Sequence, residues 1–181
     1  GLVEMPNFVL AGYAGNTVYF SEPGLPAAWP SAYAKSKGSQ IMAICPTVEG
    51  LFVATKSFPY AVIGVEPRSM VVVPLEANQP CASSQSMVDM GGYCIYASYE
   101  GLVRGAGATA EVITAAQFAP EDWKVYQPET MRCYRWQEWY LGFYGNGTGG
   151  FIFKADKNDF ILLDEYAEAG YFDEKADELL L

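Results

Sequence analysis

The side chains that could do chemistry in this chain are carboxylates, because its 181 residues include no histidine. Neither a Ser-His-Asp nor a Cys-His arrangement can be formed from this chain alone. A carboxylate pair about 5 to 10 Å apart could cleave a glycosidic bond, and the candidates for it are Glu22, Glu49, Asp89, Glu100 and Glu138. The Ser-x-Asp-x-Gly-x-Thr-Trp pattern of sialidase-like propellers does not occur. We favour the interpretation that each candidate is a turn or solvent-facing group, and we predict no catalytic residue and no enzyme activity.

Sites for metals and cofactors are equally poorly supported by the sequence. Asp156-Lys157-Asn158-Asp159 offers oxygen ligands but lacks the alternating spacing and distal Glu of a calcium loop. The glycine-rich residues 145–150 are not followed by the Lys-Ser/Thr of a phosphate-binding loop. The four cysteines contain no CxxC pair, which argues against zinc; they are Cys45, Cys81, Cys94 and Cys133. We predict no metal, no cofactor, hairpin turns at both loops and four free, reduced thiols.

The charge of the chain excludes one large class of partner. The formal net charge is −10, and the 11 Lys and Arg residues are scattered, whereas binding to a nucleic-acid backbone requires clustered cations. About 40% of the acidic residues follow Lys154, where we predict a solvated loop leading into a strand. We expect neither a signal peptide nor a membrane span, since no run reaches 18 apolar residues.

Short apolar segments, each followed by a Gly- or Pro-containing turn, recur along the chain. They are Val18-Tyr19-Phe20, Leu51-Phe52-Val53, Cys94-Ile95-Tyr96, Tyr140-Leu141-Gly142-Phe143 and Leu179-Leu180-Leu181. Their starts at 18, 51, 94, 140 and 179 give steps of 33, 43, 46 and 39 residues, near the roughly 40 to 50 residues of a four-stranded propeller blade. The middle three segments each lead through a turn into a second strand, at residues 60–64, 101–104 and 151–154.

These hairpins predict an all-β fold of antiparallel hairpin repeats, as part of a β-propeller of about four blades that is incomplete at the C-terminus. A β-sandwich or an irregular β architecture is the alternative. We predict a single β-repeat domain over residues 1–181, as a fragment of a longer chain. Helix is expected only as one turn near residues 119–123, and the proline-rich residues 21–30 are expected to form a surface loop. We expect the four tryptophans to pack between blades; they are Trp29, Trp123, Trp136 and Trp139.

Several pieces of the sequence resemble structural proteins of tailed bacteriophages and prophages. A strand ending in Tyr19-Phe20 runs into Ser21-Glu22-Pro23 and then Ala28-Trp29-Pro30. Similar pieces follow in Pro59-Tyr60-Ala61-Val62-Ile63-Gly64 and in Tyr96-Ala97-Ser98 with Glu100-Gly101-Leu102-Val103. The resemblance covers most of the chain, but its pieces are short and would be expected in many β-repeat proteins.

The resemblance implies a non-enzymatic virion component of the tail or head-to-tail connection, which acts through protein–protein contacts. Its partners would be other virion proteins or copies of itself, with no specific nucleic acid and no membrane. It would be assembled in the bacterial host cytoplasm. The alternatives are a carbohydrate-binding or glycan-cleaving β-propeller, in which Trp136 and Trp139 would stack on sugar rings, and a generic scaffold from a bacterial repeat protein.

Overall fold

The computed structural model describes residues 1–5, 8–173, 175–176 and 178–181, and antiparallel strands dominate it. The first sheet consists of β1 (Leu2–Met5), β2 (Val9–Ala14), β3 (Thr17–Phe20) and β4 (Lys35–Ser36). The second consists of β5 (Ile41–Thr47), β6 (Gly50–Thr55), β7 (Tyr60–Ile63) and β8 (Val71–Pro74). The third consists of β9 (Val88–Asp89), β10 (Cys94–Ala97), β11 (Leu102–Ala106) and β12 (Thr109–Val112).

The fourth sheet and a two-stranded ribbon follow in the second half of the chain. The fourth sheet consists of β13 (Arg132–Trp136), β14 (Trp139–Tyr144), β15 (Gly149–Lys154) and β16 (Asp159–Leu163). The ribbon consists of β17 (Tyr171–Asp173) and β18 (Glu178–Leu180). Between the third and fourth sheets lie the one-turn helix α1 (Pro120–Trp123) and two 3₁₀ turns (Lys124–Tyr126 and Pro128–Thr130), and a further 3₁₀ turn (Ser31–Tyr33) follows the proline-rich loop.

The sheets are arranged as the blades of a propeller. Within each four-stranded sheet the strands pair antiparallel in chain order. The first strands of successive sheets contact one another in the order β1, β5, β9, β13 and β17, as do the innermost strands of propeller blades around their axis. The predicted all-β fold of propeller-type hairpin repeats is therefore confirmed.

The repeat is more regular than the sequence indicated, because one of the predicted segments was out of phase. Val18-Tyr19-Phe20 lies in β3, the third strand of its sheet, whereas the other four segments lie in second strands. The second strands begin at residues 9, 50, 94, 139 and 178, which gives steps of 41, 44, 45 and 39 residues. The true counterpart, β2, has the sequence VLAGYA, and its small residues give a weaker apolar signal than the bulky side chains of β3.

The turns and the terminal strand follow the sequence prediction, with one addition. Asp156 to Asp159 closes the β15–β16 hairpin, and residues 145–148 form the turn between β14 and β15. Leu179 and Leu180 pair with β17, so this apolar segment folds back onto its own chain. The acidic region after Lys154 was predicted as a loop only, and it also contributes β17 to this hairpin.

The buried side chains form two clusters that fill the seams between sheets. One cluster joins the first three sheets, and the other joins the third and fourth. Trp123 is fully buried, as expected, and Trp136 and Trp139 are half-buried. The prediction was wrong for Trp29, which is 38% exposed. Its indole N–H donates to the Pro26 carbonyl at 2.9 Å, so this side chain packs on its own proline-rich loop instead of a seam.

The connection at residues 81–86 links three consecutive sheets by hydrogen bonds. The Cys81 N–H donates to the carbonyl of Thr55 after β6, at 2.9 Å. The buried Ser86 hydroxyl accepts the Ala97 N–H of β10 at 3.0 Å, and the Ser86 carbonyl accepts the Tyr140 hydroxyl of β14 at 2.7 Å. This connection therefore fixes the second, third and fourth sheets relative to one another.

Candidate functional site

The five carboxylates that could support glycoside cleavage are distributed over four sheets. Glu49, Glu100 and Glu138 lie in hairpin turns, and Asp89 ends β9; all four are exposed. Asp89 accepts the Gly91 N–H at 2.8 Å, as in a local turn. The half-buried Glu22 accepts the Tyr33 hydroxyl at 2.6 Å, and Arg68 donates to the same hydroxyl at 2.8 Å. Each of the five therefore has its own surroundings.

A cavity of about 360 Å³ lies where the innermost strands meet. It is lined by Val3, Glu4, Ile44, Cys45, Pro46, Met87 and Asp89. Glu4 was not a sequence candidate, and only the position of β1 beside β5 brings it to the cavity that Asp89 also lines. Among the described residues no three side chains of the His, Cys, Asp or Glu type converge in a way that could hold a metal ion.

All four cysteines are free and buried. The hydrogen bond between the thiols of Cys45 on β5 and Cys94 on β10, together with burial, raises the pKa of Cys45 far above its usual range. Burial raises the pKa of Cys81 and of Cys133 to about 12. These thiols are held protonated, whereas a nucleophilic cysteine must ionise.

The buried thiols predict a loss of stability at alkaline pH. In the unfolded chain a thiol ionises near its ordinary pKa of 9.0, so above that pH the unfolded state binds fewer protons than the folded state and stability falls as pH rises toward 12. Between pH 8 and 10 the loss is about 1.4 kcal/mol for each such thiol. Urea unfolding of the wild type and of Cys133→Ala across this range measures the effect. The variant should lose about 1.4 kcal/mol less than the wild type, and parallel pH profiles would contradict the assignment.

Trp136 and Trp139, the proposed sugar platforms, contact each other edge to face with ring centroids 4.9 Å apart. The ammonium group of Lys154 lies 3.9 Å from the centroid of the Trp139 ring. A sugar that stacked on this face of Trp139 would have to displace the cation, so the structure gives the sugar-stacking hypothesis no open platform at this ring.

The two faces of the fourth sheet are both apolar but have different neighbours. Tyr140, Phe151 and Phe153 point toward the third sheet and belong to the second core cluster. Because side chains alternate along a strand, Leu141 and Ile152, which pair across β14 and β15, point the other way. Only the β17–β18 ribbon faces this second side in the described part of the chain. Two strands cover less of a blade face than the four strands of a complete sheet.

The uncovered part of this face is a groove of about 460 Å³, which we call the β18 groove. The fourth sheet and residue 165 contribute Trp136, Leu141, Ile152, Leu163 and Glu165, and the ribbon contributes Glu178, Leu179, Leu180 and Leu181. The indole N–H of Trp136 is buried and has no hydrogen-bond partner among the described residues. The sequence signal for this groove is the two-sided apolar character of β14 and β15, which sequence reasoning did not connect with an exposed face.

Comparison with known proteins gives little to set beside these observations. No protein-family model matches the chain, and no curated protein matches it. Among solved structures, the chain is similar to YCF48 from Cyanidioschyzon merolae, with 12% sequence identity and a TM-score of 0.48 over 91% of this chain. The chain spans about half the length of that protein, 48%. None of the helices in the described part of the chain has the length and apolar character needed to cross a bilayer.

Proposed function

We propose that this chain is a non-enzymatic module that acts by protein–protein contact within a larger assembly. The observation that carries the proposal is the β18 groove, an apolar blade face with few polar groups at its rim. Concave apolar surfaces of this kind are typical of interaction sites. The buried, protonated thiols and the separate surroundings of the five candidate carboxylates favour contact over reaction.

We further propose that the assembly is the particle of a tailed phage or prophage, in the tail or the head-to-tail connection. The support is the sequence resemblance, whose proline-rich element forms a surface loop that exposes Leu25 and Trp29. The hydrogen bonds from Tyr33 to Glu22 and from Arg68 to Tyr33 anchor this loop to the second sheet. An exposed loop with fixed anchors is suited to contacts with neighbouring proteins, which would be other virion proteins or copies of this chain. Its location would then be the virion, after assembly in the bacterial host cytoplasm.

The acidic charge is compatible with a position beside packaged DNA. A net charge of −10 repels a polyanion and disfavours adhesion to it. The module would therefore contact its protein neighbours without binding the nucleic acid.

Quantitative mass spectrometry of purified particles from the source strain tests the proposal. We expect the chain at a fixed stoichiometry to a known tail protein, retained through a high-salt wash. A chain that is absent from particles would contradict the phage assignment, and a monomer without a protein partner in any native extract would contradict the contact role. Hydrolysis of a glycan by the purified protein would instead favour the enzymatic alternative.

A further inference from the structure

We infer that the β18 groove binds one extended strand of a partner protein, whose side chains alternate between apolar and basic. This inference rests on the proposed contact function and specifies the chemistry of the partner. It is carried by three features of the groove: an unpaired strand edge, an apolar floor with an unpartnered donor, and a rim of one charge.

The strand edge is the first feature. β18 is the second strand of its unit, as β6, β10 and β14 are of theirs, and each of those three pairs with a strand on both sides. In the described part of the chain β18 pairs with β17 alone. Its other edge therefore presents unpaired N–H and C=O groups, which are a template for an added strand.

The floor of the groove is the second feature. Leu141, Ile152 and Leu163 come from three neighbouring strands and line the groove together. An added strand points every second side chain to one face, at a repeat of about 7 Å, so alternate residues would pack on these three side chains. The buried Trp136 N–H lacks a partner among the described residues, and a buried donor gains free energy when an acceptor reaches it. An oxygen of the added segment supplies such an acceptor.

The charge at the rim is the third feature and selects among occupants. The two charged residues that line the groove, Glu165 and Glu178, are both acidic and exposed. Basic residues at the alternate positions of an added strand would face this rim, which gives charge complementarity and register. A second copy of the chain would instead bring another net charge of −10, and this repulsion disfavours self-association at the groove.

Two fluorescent peptides of about eight residues, a common strand length, provide the probe. One alternates Val and Lys, and the other alternates Val and Glu. We expect anisotropy titrations to show saturable binding of the Val/Lys peptide and none of the Val/Glu peptide. We also expect slower hydrogen exchange of the amides at residues 178–180 when the Val/Lys peptide is bound.

A matched pair of variants separates insertion into the groove from general attraction of a cation to an acidic protein. Leu163→Glu adds a negative charge inside the groove, and Val71→Glu adds the same charge on β8, where Val71 is 61% exposed. Insertion predicts that Leu163→Glu weakens binding of the Val/Lys peptide at least about tenfold, while Val71→Glu does not weaken it. General attraction predicts that both variants bind equally or more tightly, and this result would overturn the inference.

A second variant keeps the test decisive if Leu163→Glu fails to fold. The double substitution Glu165→Gln with Glu178→Gln changes only exposed side chains. It should weaken binding of the Val/Lys peptide and reduce its dependence on salt, whereas unchanged affinity would overturn the inference.

Two further outcomes identify which proposal has failed. A dimer of the wild type that Leu163→Glu abolishes would assign the groove to a second copy and overturn the inference. Failure of the Val/Lys peptide to bind a protein that is nevertheless present in particles would refute the partner chemistry and leave the proposed function standing. Specific peptide binding by a protein absent from particles would refute the phage assignment alone.

Discussion

Replacing Trp123 with alanine is expected to destabilise the protein by about 3 to 5 kcal/mol. Trp123 is fully buried in α1 and packs against Phe118, Tyr126, Phe151 and Phe160. Its indole N–H donates to the carbonyl of Ser98 at 2.9 Å. The substitution would leave a cavity between the third and fourth sheets and an unpaired buried carbonyl, and each of these raises the free energy of the folded state.

Trp29→Ala is the matched control for this experiment. Trp29 also donates its indole N–H to a carbonyl, that of Pro26, but it is 38% exposed and packs on a surface loop. We expect this variant to lose about 1 kcal/mol or less. Urea unfolding followed by far-UV circular dichroism compares the two variants with the wild type. Equal losses for both would contradict the placement of Trp123 at the seam between two sheets.

The second large effect is expected at Gly50, the first residue of β6. Its φ of +151° lies in a region that side chains rarely adopt, and a Cβ there would overlap the Val62 carbonyl oxygen and lie 3.1 Å from the Ile63 Cα. The overlap is with the backbone of the paired strand β7, so a rotamer change cannot relieve it. We expect Gly50→Ala to cost about 3 kcal/mol or more, since backbone strain and overpacking add.

Gly15→Ala provides the control for the backbone conformation without the overlap. Gly15 also has a positive φ, +61°, but a Cβ at this position would have no neighbour within 4 Å. The expected cost is about 1 kcal/mol, from the left-handed conformation alone. Thermal unfolding of both variants measures the difference, and a Gly50→Ala protein as stable as Gly15→Ala would contradict the described pairing of β6 with β7.

The strands that sequence predicts well are those whose side chains are buried on both faces. β6, β10 and β14 are almost entirely buried, and each appears in the sequence as a bulky apolar run. The strands that were missed carry less apolar signal: β4 has only two residues, and β13 alternates Arg132 and Arg135 with apolar residues. Short or mixed strands acquire their conformation from neighbouring strands, which a local pattern does not contain.

The motifs behind the family resemblance have a structural explanation of their own. Thr55, in Val-Ala-Thr, accepts the Ser57 N–H at 2.9 Å and donates to the Phe58 carbonyl. Ser98, in Tyr-Ala-Ser, accepts the Glu100 N–H at 3.1 Å and donates to the Gly101 carbonyl. Both hydroxyls therefore hold the turn that follows the second strand of a sheet. Such local turn chemistry recurs wherever a hairpin of this shape recurs, so these motifs indicate the blade more directly than the particle.

The groove was not predictable from the sequence, because it depends on how many strands face the fourth sheet. The apolar residues Leu141 and Ile152 look like ordinary blade core in the sequence, and their position beside a two-stranded ribbon is a property of the assembled fold. The thiol pair of Cys45 and Cys94 likewise depends on the packing of the second sheet against the third.

Site-specific photo-crosslinking in the native source tests most directly whether this protein acts by contact through the β18 groove. A photoreactive residue would replace Leu163 in the groove and, as the control, Val71 on β8. We predict a discrete protein adduct at position 163 only, with the crosslinked peptide extended and rich in alternating apolar and basic residues. Equal labelling at the two positions, or no protein adduct at position 163, would contradict the account.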